Sequence, residues 1–426
     1  MPETQERFNQ VDEAYENTCE WIFERGNLGF VKWLETGKGI FWINVKPSSG
    51  KSTVMKFVVS NHRTFQYLYM NRPKHRLIWA EFFFSNRGKQ VQKTLQGLYH
   101  RILYQLLKQA DYLTRFVQPI FENSAEAQGV WSLIHLEAAL LAIVKQREEK
   151  INICLFIDAL DEQAENYAQD HRRLVETMQN LIRYSHDKTV RVMFCVSSRP
   201  ETFFIDSFAR CPGIRIHENT HNDVRFYVNG RLNSYLASRP DLASNPLAVA
   251  SLQKTFDEVF ARAQGVFLWV KLVATDLIEG LIDGDNPRQI QQHLSSIPGN
   301  GDLHELYHQI LLSLKNSYLN DTFVMLQIAY ATLEPLPITE FFSAVNYVHQ
   351  NNNSELESQS FDEMERRLLS RCRGFLEVQT ASWQDQECEK HTGKIVQFLH
   401  QSLKDYLAQE RSFETIQQKT TNRLSS

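Results

Sequence analysis

Little in this 426-residue chain suits it to a membrane, a disulfide scaffold or a charged polymer. Its longest apolar stretches, such as VFLWV before Lys271, fall well short of the roughly 20 residues that span a bilayer. The opening MPETQERFNQ is polar and acidic, whereas an export signal starts basic and turns apolar. Six cysteines are scattered at positions 19, 154, 195, 211, 372 and 388, with no C-x-x-C pair. Cys154 and Cys195 lie inside apolar, strand-like runs, so reduced buried thiols are expected rather than a disulfide or zinc framework. A net charge of -4 supplies no global field for DNA, RNA or an anionic membrane. No solenoid or propeller period repeats along the chain. What remains is ordinary globular composition, 42% hydrophobic and 23% charged, and enough length for two or three domains. A soluble, cytoplasmic protein is the expectation.

The hydrophobic pattern changes character about halfway along. In the first half, GIFWINV (Gly39 to Val45), LIWAEFFF (Leu77 to Phe84), INICLFID (Ile151 to Asp158), VRVMFCVS (Val190 to Ser197) and the short GIRIHE (Gly213 to Glu218) read as strands. Helical spacing separates them, as in Leu95, Leu98, Ile102 and Leu106. Near-continuous apolar strands alternating with helices predict an α/β fold: a parallel sheet covered on both faces. From about Asp223 the strands give way to helical patterns, including Phe256, Val259, Phe260 and Ala263, up to the breaker Pro298-Gly299-Asn300-Gly301. Two helices split by Pro335 and Pro337, then the strand-like GFLEVQ and KIVQFLH, predict a winged helix. Phe8, Val11, Tyr15, Trp21 and Ile22 suggest an amphipathic helical lead-in. The expected division is a lead-in over 1–35, a nucleotide-binding domain over 36–222, a helical domain over 223–300, a winged helix over 301–410 and a polar tail over 411–426.

Three polar clusters fall at strand ends, where parallel sheets bind ligands. The first is VKPSSGKST, Val45 to Thr53. It approximates the phosphate-loop pattern G-x-x-x-x-G-K-[ST], with Val45 in place of the first glycine. Polyphosphate needs converging backbone N–H groups, a cation, and a hydroxyl for magnesium. The loop Pro47, Ser48, Ser49 and Gly50 would form the cradle, with N–H groups from all but the proline; Lys51 would supply the cation and Ser52 the hydroxyl. Thr53 N–H would meet the α-phosphate. The second cluster is LFIDALDE, Leu155 to Glu162. Asp158 ends an apolar strand where its carboxylate would hold Mg²⁺. Asp161 and Glu162 stand where a carboxylate could orient or deprotonate an attacking water. The third is VSSRP, where a polar residue and Arg199 could sense the γ-phosphate. Arg87 after the second strand is a similar, weaker candidate. His400 and Asp405 in FLHQSLKDYL have no special status on composition alone, since a lone histidine is more often a satisfied boundary residue. ATP or ADP with Mg²⁺ is the expected ligand.

The ordered set of phosphate loop, LFIDALDE, SSRP, AQGVFLWV, PLPITEF and FLHQSLKDYL resembles a NACHT-type STAND NTPase, most nearly fungal NOD-like proteins with a nephrocystin-like core. RFNQVDEAYENTCEWIF and FVKWLETGKGIFWI are similar to the segment that opens that core, so the resemblance runs from about Arg7 to Leu407. It implies a slow ATPase switch, closed with ADP and opened by ATP to self-associate and signal. It also implies that His400 contacts the ADP β-phosphate from the winged helix. The sequence departs from the family pattern GKPGSGKST at Val45 and Ser48, and AQGVFLWV has Gly265 without the family's proline. Those departures keep a second reading open: a degenerate scaffold that binds nucleotide weakly or stays locked with ADP. DNA binding through the winged helix is disfavoured, because no basic stripe accompanies it. No membrane partner is expected.

Overall fold

The computed structural model describes residues 6–24, 29–45, 49–71, 73–86, 88–123, 131–163, 167–186, 188–299, 301–314, 317–349, 360–384 and 390–409. Two compact units divide the chain, Met1–Thr220 and His221–Ser426.

The first unit is built on five strands: β1 Gly39–Asn44, β2 Arg76–Phe83, β3 Ile151–Asp158, β4 Val190–Ser198 and β5 Gly213–Arg215. Their order across the sheet is β2-β3-β4-β1-β5, and every neighbouring pair is parallel. β3 and β4 are buried at every position, which explains their unbroken apolar runs. Successive side chains feed opposite faces. Ile40, Trp42, Ile153, Leu155 and Ile157 join one core with the helices Leu95–Gln109, Leu133–Lys145 and Tyr167–Tyr184. Phe41, Ile43, Cys154, Phe156 and Cys195 join the other with Phe30–Thr36 and Lys51–Ser60. Cys19, Cys154, Cys195 and Cys372 are free and buried; Cys211 is free and half-buried. Cys388 lies outside the described residues.

The helix Leu95–Gln109 closes the outer edge of β2 with side chains. Gln105 accepts from Glu81 N–H at 3.2 Å and donates to its carbonyl at 2.8 Å. Gln109 repeats the pattern on Trp79 at 3.1 and 2.5 Å. Two amides one helical turn apart thus match alternate residues of a strand and satisfy the backbone groups that an edge would otherwise offer to another chain. Arg101, one turn earlier, pairs with the buried Glu81 carboxylate at 2.6 Å.

The lead-in is not the single helix expected from its apolar spacing. Its described parts are a short helix Glu6–Gln10, a 3₁₀ turn Glu20–Phe23 and the helix Phe30–Thr36. The apolar residues pack as separate anchors: Phe8 stands edge-on to Phe83 at 5.3 Å, and Trp21, Ile22 and Phe23 are buried. Lys56, buried on the helix behind the phosphate loop, donates to Val11 O at 2.6 Å and pairs with Glu13 at 2.9 Å. Strand β5 ends at Arg215, and Ile216–Glu218 is a 3₁₀ turn rather than more strand.

The second unit opens with the helices His221–Ala237, Pro246–Arg262, Phe267–Asp283 and Pro287–Ser296. The last lies in a largely polar stretch of the sequence. Asn286 and Gln289 form a capping box around Pro287 at its start, and Ile290 and Leu294 bury its narrow apolar stripe. Then follow Leu303–Ser313, Leu319–Ala331, strand β6 Leu336–Pro337, helices Ile338–Val348 and Phe361–Cys372, strands β7 Leu376–Gln384 and β8 Lys390–Phe398, and helix Gln401–Leu407. The three strands form an antiparallel sheet in the order β6-β8-β7. From Leu319 the described elements run helix, strand, helix, helix and hairpin. No helix among the described residues is long and apolar enough to cross a membrane.

Candidate nucleotide site

β1, β3 and β4 lie side by side, so the segments leaving their carboxyl ends share one rim. Val45 follows β1 and is buried. Its N–H donates to Ser198 O at 3.2 Å, extending the ladder one residue beyond the strand. A β-branched residue fits that extended role. Lys46, Pro47 and Ser48 lie outside the described residues. Ser49 is buried, and its hydroxyl has no hydrogen-bond partner among the described residues. Gly50 has φ +84°, a left-handed conformation, and precedes the helix Lys51–Ser60. A Cβ there would meet no atom within 4 Å, so the backbone angle and not space is what calls for glycine.

Lys51 begins that helix and points at the end of β3. Its Nζ lies 2.6 Å from Asp161 Oδ1 and 3.9 Å from Glu162 Oε1. Burial alone would pull the ammonium pKa down, but Asp161, Glu162 and Asp158 outweigh it and leave the pKa above its ordinary value. Asp161 is the hub. Arg199 donates its backbone N–H to Oδ1 at 3.0 Å, and its Nε lies 3.1 Å from Oδ2. Burial pushes the Asp161 carboxyl up, and Lys51 and Arg199 together more than reverse this, holding it below the ordinary carboxylate value. A carboxylate with both oxygens engaged by cations is a poor proton acceptor.

Asp158 differs. It is wholly buried at the end of β3, and burial raises its pKa against the pull of Lys51, Ser197 and Ser52. Oδ1 accepts from the Ser197 hydroxyl at 2.5 Å, whereas Oδ2 has no hydrogen bond of ordinary geometry among the described residues. A buried carboxylate oxygen left open beside the Ser52 hydroxyl is the hard-oxygen donor set that Mg²⁺ takes, so the residues fit that ion. Glu162 Oε2 is likewise buried and has no partner among the described residues.

Two neighbours of the site were not singled out from the sequence. Ser197 was visible only as part of a polar strand end, yet it connects β4 to the Asp158 turn. His171, on the helix Tyr167–Tyr184, is buried with its ring 4.9 Å from that of Phe204 and 6.0 Å from that of Phe203. A backbone hydrogen bond to Leu160 ties it to the acidic turn, and burial lowers its pKa. No local sequence signal marks a histidine that acts across helices. Arg87 lies outside the described residues. Thr53 is half-buried on the first turn of its helix. His400 and Asp405 belong to the second unit. His400 caps the helix Gln401–Leu407, its Nδ1 accepting from Ser402 N–H at 3.1 Å, and Asp405 accepts from Gln401 at 2.9 Å.

Residues 17–199 match the family model described as Nephrocystin 3, N-terminal, and residues 313–426 match one described as a domain of unknown function, DUF7791. No curated protein matches the chain. Among solved structures, the Drosophila origin recognition complex bound to DNA aligns at 11% identity and TM-score 0.36, covering 89% of this chain and 85% of that one. The ADP form of the Aeropyrum pernix ORC2 protein aligns at 10% identity and TM-score 0.34, covering 95% and 98%. A Walker-type ATPase of Pyrococcus abyssi aligns at 9% identity and TM-score 0.34, covering 94% and 99%. The five-stranded parallel sheet, with a phosphate-loop sequence behind β1 and an acidic turn behind β3, makes the first unit a P-loop NTPase fold, followed by a largely helical second unit.

Proposed function

We propose that this chain is a nucleotide-operated switch of the NACHT/STAND class that binds ATP or ADP with Mg²⁺ and hydrolyses ATP slowly. The observation that carries the reading is the convergence of Lys51, Asp158, Asp161, Glu162 and Arg199 at one sheet rim. Lys51 and the N–H groups from Ser48 to Thr53, in a loop that Pro47 shapes, bind the phosphates. Ser52 and Asp158 hold the magnesium ion, which supplies charge neutralisation when bound. Glu162 is the carboxylate for the attacking water, because its Oε2 is buried and unengaged. Asp161 orients Lys51 and Arg199 on its two oxygens, and Arg199 senses the terminal phosphate.

The modules follow the division into a lead-in (1–35), a nucleotide-binding domain (36–222), a helical domain (223–300), a winged helix (301–410) and a tail (411–426). In this reading His400 favours the ADP form, and exchange for ATP permits self-association in the cytoplasm. A ligand shifts such an equilibrium only through contacts that differ between the two forms. The test is direct. The purified protein is denatured and the released small molecules are separated by chromatography, and the stripped protein is titrated with ATP and Mg²⁺. Bound ADP or ATP that disappears in Lys51→Ala supports the reading. A protein that carries none and fails to bind added Mg–ATP overturns it. Light scattering with ATP and with ADP then tests self-association, which the reading expects with ATP alone.

A further inference from the structure

We propose that Ser197 is the positioning residue of the metal-binding carboxylate: it fixes Asp158 so that Oδ2 alone is left for a divalent cation. The inference rests on the Mg–nucleotide reading and adds a residue to it. The register of β3 on β4 pairs Ile157 with Val196, which brings the next residues, Asp158 and Ser197, side by side. Ser197 is fully buried, and so are Asp158 and Ala159. Its hydroxyl donates to Asp158 Oδ1 at 2.5 Å and accepts from Ala159 N–H at 2.9 Å. A serine hydroxyl has a single hydrogen. With that hydrogen given to Asp158, Ser197 has no donor for a phosphate or a water, and it acts through the carboxylate.

The backbone beside it gives this bond a second purpose. Ala159 has φ +60° and ψ +52°, a left-handed conformation that is strained for a residue with a Cβ. Such a conformation persists where surrounding contacts over-determine it. The Ala159 N–H bond to Ser197 is one such contact, and it turns the chain sharply enough to return Asp161 and Glu162 to the same rim. Ser198, the next residue, faces the other way and accepts from Trp42 Nε1 at 2.9 Å. The two serines therefore pin the end of β4 to both of its neighbours, and only Ser197 touches the metal carboxylate. Partners that orient a metal ligand typically change metal affinity about 10–100-fold when removed.

The experiment compares the full chain with Ser197→Ala, Ser197→Thr, Ser197→Cys and Ser198→Ala. Mn²⁺ binding to the ADP-loaded protein is followed by electron paramagnetic resonance, and ADP affinity is measured separately in EDTA. Ser197→Ala is expected to raise the Mn²⁺ midpoint about 10–100-fold while ADP affinity in EDTA stays within about twofold, since no donor reaches the phosphates. Ser197→Thr retains the hydroxyl and restores the midpoint, and Ser198→Ala leaves it unchanged. Should Ser197→Ala not fold, Ser197→Cys, with its weak donor, is expected to shift the midpoint in the same direction by less. An unchanged midpoint in a folded Ala or Cys variant overturns the proposal. So does an equal loss of ADP affinity in EDTA, which would place Ser197 on the nucleotide. Failure of the wild type to bind ADP at all would instead sink the underlying nucleotide reading, and this proposal with it.

Discussion

Replacing Asp161 by asparagine tests the electrostatic construction of the rim. The side chain is nearly buried and is met by Lys51 Nζ at 2.6 Å, Arg199 Nε at 3.1 Å and Arg199 N–H at 3.0 Å. Removing one partner of a buried ion pair costs about 3–5 kcal/mol, because the other charge is left buried. Two features reduce that here. The asparagine oxygen can still accept from the Arg199 N–H, and Glu162 Oε1 stands 3.9 Å from Lys51. A loss of about 2–3 kcal/mol from the first unit is therefore expected. For a unit of this size that lowers the melting temperature by roughly 5–10 °C. The pH dependence adds a second signature. The folded-state pKa of Asp161 lies below its unfolded value of about 3.9. Its contribution is therefore present above the unfolded pKa and is lost as pH falls through the folded one. Urea denaturation at pH 7 and at a series of acid values should show the gap between Asp161→Asn and wild type narrowing as the pH drops below about 4. A gap under about 0.5 kcal/mol at pH 7, the range of an ordinary surface substitution, would refute the assignment of Asp161 as the hub.

Three further outcomes follow from local geometry. Ala159→Gly should stabilise the first unit by about 0.5–1 kcal/mol in denaturant titration, since relief of the left-handed strain exceeds the entropy cost of glycine; destabilisation would mean that the alanine methyl is needed for packing. The double substitution Gln105→Leu, Gln109→Leu should uncover the edge of β2 at Trp79 and Glu81, costing about 1–3 kcal/mol for each set of buried groups left unpaired. Sedimentation should then show concentration-dependent association. In the second unit, the hydrogen bond to Asp276 raises the His293 pKa. Its stabilisation is therefore fully present below the unfolded value near 6.5 and is lost as pH rises through the folded one. The melting temperature of His293→Gln, measured from pH 5.5 to 8.5, should approach that of wild type at the alkaline end; a constant difference across that range would argue against the pair.

The sequence alone determined the parallel sheet, because five apolar runs alternating with helical stripes have few other ways to bury both faces. It also located the polar ends of β1, β3 and β4, since loops that leave a parallel sheet at its carboxyl edge carry their residue types in plain view. Where burial is assembled from several pieces, periodicity misled. Phe8, Val11 and Trp21 mimic one helical face but anchor separate short segments, and Pro287–Ser296 hides a helix behind a polar surface with only Ile290 and Leu294 buried. The tertiary structure decided partnerships. Nothing in DALDE distinguishes Asp158, with one open oxygen, from Asp161, with both oxygens engaged, because the difference is made by Ser197, Lys51 and Arg199 arriving from other strands and helices. The strand order likewise decided that β2 is an edge and that Gln105 and Gln109 cover it. A residue's chemistry is local and legible in the chain; its protonation, its free lone pairs and its neighbours are set by contacts that only folding brings within reach.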